Sequence, residues 1–80
     1  MLNRVKDYIK DSEFRLTLFT DRVYVVNYIE IISLEEERIS FLTPNGRVII
    51  KGKDLLLNKM LDSEVLVSGK VLTIEVEYNE

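Results

Sequence analysis

Apolar side chains recur at Leu2, Val5 and Ile9, with Lys6, Asp7 and Lys10 between them, so the spacing predicts a short amphipathic helix over residues 2–11. A helix of about ten residues is marginal alone in water and must dock or fray. From Phe14 the period changes to two. Phe14, Leu16 and Leu18 share one face of a predicted strand, and Arg15, Thr17 and Phe19 the other. Thr20-Asp21-Arg22 is a polar break, after which Val23 to Val26 forms a second apolar run. Asn27-Tyr28 interrupts it and Ile29-Glu30-Ile31-Ile32 continues. Glu35-Glu36-Glu37 is too like-charged for a packed strand and reads as a solvated loop.

Ile39 and Phe41 alternate with Ser40 in a further strand, which ends at the strongest turn signal in the chain, Thr43-Pro44-Asn45-Gly46. Proline presets the first turn angle and Gly46 accepts a positive one. A loop of two or four residues puts Ile39 and Phe41 on one face with Val48 and Ile50, whereas an odd loop inverts that match. The even loop is therefore expected, with Ser40 opposite Lys51 on the wet face.

Beyond the turn a pattern appears twice. Arg47-Val48-Ile49-Ile50-Lys51-Gly52-Lys53-Asp54-Leu55 is followed by Val65-Leu66-Val67-Ser68-Gly69-Lys70-Val71-Leu72. In each copy a short apolar run meets Gly-Lys and resumes at a leucine. A strand closed by glycine marks a turn or a bulge, so Gly52 and Gly69 are expected to be equivalent, each at positive φ. In the final segment Leu72, Ile74, Val76 and Tyr78 read as the core face, with Thr73, Glu75 and Glu77 in water. Glu75 and Glu77 read as a charged edge that discourages sheet-to-sheet pairing.

These segments predict a mainly β protein. About eight short strands form an antiparallel meander, folded as a sandwich, a roll or a partly open barrel. Residues 1–12 form an N-terminal helical arm and residues 13–80 a single β domain. Phe14 to Thr20 has apolar residues on both faces, so Phe19 is expected under residues 2–11 or in a contact with another copy or a partner.

Composition narrows the chemistry. The chain has neither cysteine nor histidine, which leaves no thiol nucleophile, imidazole base, disulfide or ordinary transition-metal site. No phosphate-cradling glycine motif is present. We expect no enzymatic activity, no cofactor and no small-molecule substrate. Eighty residues make one domain with a modest core, worth about 3–5 kcal/mol, so association is a natural source of further stability. The formal net charge of −3 opposes non-specific nucleic-acid binding, which needs a positive field. The N-terminus lacks the apolar stretch of a signal peptide and no run reaches the roughly 20 apolar residues that span a bilayer, so a cytoplasmic protein is expected. Lys51, Lys53 and Lys70 cluster around the two glycines, either as a basic patch for a partner or as ordinary solubilising charge at turns. Tyr8, Tyr24, Tyr28 and Tyr78 read as half-buried packing residues rather than base-stacking ones.

Asn27, the acidic turn, Ile39-x-Phe41, Asn45-Gly46-Arg47-Val48, Ile50-Lys51-Gly52-Lys53-Asp54-Leu55 and Val67-Ser68-Gly69-Lys70-Val71 together resemble the YabP/YqfC family of sporulation proteins, closer to its YqfC-like members. The resemblance covers residues 14–78, and its specificity lies in the order and spacing of the two Gly-Lys units. It implies a small non-enzymatic protein of endospore-forming bacteria, made in the mother cell and used in spore formation beside a membrane-bound protein partner. It carries no catalytic residues. A homo-oligomer is compatible with it. The alternative is a nucleic-acid-binding small β-barrel of the Sm-like kind, which the short strands suggest and the acidic balance opposes.

Overall fold

The computed structural model describes residues 13–79; the helix expected over residues 2–11 lies outside them. Six strands follow in order: β1 (Arg15–Leu18), β2 (Arg22–Val26), β3 (Glu30–Leu34), β4 (Arg38–Thr43), β5 (Gly46–Lys59) and β6 (Glu64–Tyr78). They form one open antiparallel sheet in the order β1-β2-β6-β5-β4-β3.

Two expectations are corrected here. Among the described residues there are six strands rather than eight, because the breaks at Gly52 and Gly69 lie inside β5 and β6 instead of ending them. The sheet is also no simple meander, since β2 pairs with β6 and β3 lies at the opposite edge.

The breaks are a reciprocal pair of bulges. Lys51 pairs with Thr73 and Gly52 with Val71, leaving Leu72 as an extra residue on β6. Lys53 pairs with Lys70 and Leu56 with Ser68, which leaves Asp54 and Leu55 facing Gly69 alone. One extra residue moves every later side chain to the other face. Thus Val48 and Ile50 are buried before the bulge on β5, and Leu55 and Leu57 pack into the core after it. On β6 the inward positions are Val65 and Val67 first and Ile74 later. Both strands change parity together, so they stay paired through the discontinuity.

The long β5–β6 ribbon carries a different pair of strands at each end. β2 lies against residues 64–68 of β6, and β4 against residues 46–51 of β5. Two strands separate β2 from β4 in the sheet, yet Val23, Val25, Ile39 and Phe41 belong to one buried cluster. The sheet therefore folds over, with its two ends as facing layers; strands that bend at bulges make such corners. The connection from β2 to β3, residues 27–29, crosses between layers that stack about 10 Å apart. Asn27 turns the chain there with a left-handed φ of 64°. Tyr28 is buried with its ring centroid 5.4 Å from that of Phe41. Fully buried aliphatic and aromatic side chains contribute about 1.5–3 kcal/mol each, and Phe41, Ile39 and Ile50 are the largest of them here.

The even hairpin loop holds: Thr43 pairs with Gly46 across Pro44 and Asn45, which sets Ile39 opposite Ile50 and Phe41 opposite Val48. Gly46 takes a φ of 148°, and the Thr43 hydroxyl accepts a hydrogen bond from the Asn45 amide at 3.3 Å. Ser40, however, lies opposite Ile49 rather than Lys51, and it is buried. Its hydroxyl is satisfied by Ser33 on β3 at 2.5 Å, which explains how a polar group is accommodated there.

Candidate functional site

The bulges gather much of what the sequence singled out. Lys53 and Lys70 are directly opposite each other across β5 and β6, an arrangement of like charges that costs stability. Neither makes an ion pair among the described residues. Lys51 is different: its ammonium lies 2.8 Å from the Glu75 carboxylate. Arg47 likewise holds Glu77, with its Nη2 donating at 2.6 Å. Glu75 and Glu77 are thus engaged by side chains of the neighbouring strand β5.

Gly52 and Gly69 occupy equivalent places but are glycines for different reasons. Gly69 has a φ of 118°, where side chains are strained. Gly52 does not have a positive φ, correcting the expectation for it; a Cβ there would overlap the Lys70 carbonyl oxygen. The acidic turn closes this region from the side. Its side chains are exposed as expected, but its backbone is not free: Glu37 accepts from the Gly52 amide at 3.0 Å and Glu36 from Leu55 at 2.8 Å. A cleft of about 400 Å³ lies between Glu36, Glu37, Lys53, Asp54 and Leu72.

Leu72 also borders a second depression. This one, about 440 Å³, lies between residues 18–20 and residues 71–74, so Phe19 and Lys53 fall on opposite sides of Leu72. Phe19 is 42% exposed, with the Arg22 guanidinium 4.6 Å above its ring. A third depression of about 230 Å³ continues the line between Glu13, Phe14, Val76 and Tyr78. The second and third depressions line up as a groove between residues 13–20 and the distal part of β6.

The pattern that characterises the YabP family matches residues 12–80. This chain belongs to the YabP family. No curated protein and no solved structure matches it. Membership is consistent with a sporulation-related protein. The two Gly-Lys units that carried the resemblance are the paired bulges, so within this YabP-family chain they mark the bend of the sheet.

The groove's β6 wall was misread from the sequence. Only Ile74 of the expected core face packs against the buried cluster; Leu72, Val76 and Tyr78 are exposed by 56%, 51% and 76%. Strand length is the reason. β6 has 15 residues and β2 only 5, so β2 covers one end of it. Counting apolar positions available to cover each strand was the signal to look for, and the bulges hid it by making two long strands read as four short ones.

Titratable chemistry in this YabP-family chain is sparse. No group of three or more metal-ligating side chains occurs among the described residues. The Tyr24 hydroxyl donates to the Glu64 carboxylate at 2.5 Å. That bond raises the phenol above its ordinary value; burial and the Glu64 charge act in the same direction, while Arg15 opposes them. It ties neighbouring strands together and faces no cleft described above.

Proposed function

We propose that this chain is a non-enzymatic binding or assembly module for spore formation, of the YqfC-like branch, acting in the mother-cell cytoplasm and held near a membrane by a protein partner. Family membership over residues 12–80 supports the sporulation role. The observation that favours binding is the apolar groove along β6, where Leu18, Leu72, Val76 and Tyr78 are each more than half exposed. Large apolar surface on a small domain is characteristic of a contact site. Lys53 and Lys70, which make no ion pair among the described residues, suit an acidic rim on the partner. No reaction is assigned to the chain.

Deleting the gene and counting heat-resistant spores tests the role: a marked loss is expected, and normal numbers overturn it. Retention on single-stranded RNA that weakens with added salt would instead favour nucleic-acid binding.

A further inference from the structure

The groove is more than an apolar surface, because a strand edge runs along it. β2 occupies one side of β6 only over residues 64–68, whereas β5 pairs with β6 down to Tyr78. Among the described residues, nothing pairs with the other side of residues 70–78. An unpaired edge in an antiparallel sheet is a template for another strand.

We infer that this edge pairs with the same edge of a second copy of the chain, antiparallel, about a two-fold axis at Ile74. Self-complementarity singles out the occupant and the register. With the axis at Ile74, that residue meets itself, and Leu72 lies opposite Val76 of the second copy. These are three apolar cross-strand pairs on the face of Ile74, where Leu72 and Val76 are more than half exposed. On the opposite face Thr73 meets Glu75, so no carboxylate faces another over residues 72–76; the bulge at Leu72 turns Val71 toward the core and ends the register there. An axis at Glu75 would set Glu75 against itself, which is unfavourable. An axis at Thr73 would run the second copy's strand past the Leu72 bulge toward residues 64–68, where β2 already pairs. A two-fold axis makes the contact isologous and closed, so it yields a dimer and not a fibre. Leu18 and Phe19 form the far wall of the groove beside the added strand. The inference deepens the assembly reading, but it is tested in vitro and stands or falls apart from any effect on spores.

Sedimentation equilibrium of the full chain over a wide concentration range tests it. A reversible dimer is expected. Thr73→Glu places two like-charge pairs across the axis and should raise the dimer Kd about tenfold. Within its own chain that position faces Lys51, so the fold is retained, as circular dichroism would verify. Thr73→Lys, which meets Glu75 of the second copy, should not weaken the dimer. L72K and V76E should each weaken it, while the double variant, which sets the two new charges opposite each other, should recover it. A chain that stays monomeric at every concentration overturns the inference. So does a dimer indifferent to Thr73→Glu and L72K, whose contact must lie elsewhere.

Discussion

The two ends of the β5–β6 ribbon are built from the same kind of residues and meet different fates. At the hairpin end β6 is paired on both sides, with β5 and β2, and Val65 and Val67 are fully buried. At the far end the same strand keeps one partner, and Leu72, Val76 and Tyr78 stand exposed. Alternation alone does not report the difference, since the far end alternates cleanly, reads as half-buried, and is nonetheless the more exposed. The difference lies in coverage: whether another strand reaches the edge and whether a facing layer covers the side chains. Apolar residues that fold the protein at one end are left over for contact at the other.

The comparison assumes one core shared by both layers, and Phe41 tests that most severely. Phe→Ala at a fully buried position costs about 3–5 kcal/mol, comparable to the whole stability expected of so small a domain. Phe41→Ala should therefore abolish the cooperative urea transition, with the far-UV strand signal lost from both layers. Retention of a folded hairpin end would mean two separate cores.

The bulges come next. Gly52→Val and Gly69→Val should each destabilise by about 1–3 kcal/mol, measured by urea denaturation. The causes differ and can be separated. Alanine at Gly52 meets the Lys70 carbonyl at once, whereas at Gly69 a φ of 118° adds backbone strain to contact with the Asp54 carbonyl. Stability unchanged by either valine would show that the ribbon bends for another reason.

The smallest expected effect lies at the covered end. Because the Glu64 hydrogen bond raises Tyr24 above the usual phenol value, its contribution to stability is complete below about pH 10, the unfolded value. It is lost as pH rises through the higher folded value. NMR titration of the Tyr24 ring should give a midpoint above 10, and Glu64→Gln should lower it. An unshifted midpoint would remove this tie between β2 and β6.

Much of this was legible in the residues. Thr43-Pro44-Asn45-Gly46 and the faces of Ile39, Phe41, Val48 and Ile50 gave the hairpin and its register. The pair of Gly-Lys units was seen, and so was the choice between turn and bulge at each. What stayed hidden was that both are bulges in register, because a parity change in one strand looks like an ending until its partner is known to change as well. The order β2-β6 was hidden for a related reason: Asn27 and Tyr28 read as an interruption within a layer, but they carry the chain between layers. Of the expected contact residues, Phe19 borders the groove, Lys53 lies opposite Lys70, and Lys51 is taken by Glu75. Leu72, Val76 and Tyr78 were assigned to the core because nothing in an alternating strand reports what covers it.

Amide hydrogen exchange along β6, measured at low and high protein concentration, is the most direct test of the contrast between its two ends. The account predicts amides over residues 64–68 protected at every concentration. Over residues 70–78 it predicts alternate amides that exchange freely when dilute and become protected as concentration rises. Protection along all of β6 that is uniform and independent of concentration would contradict it.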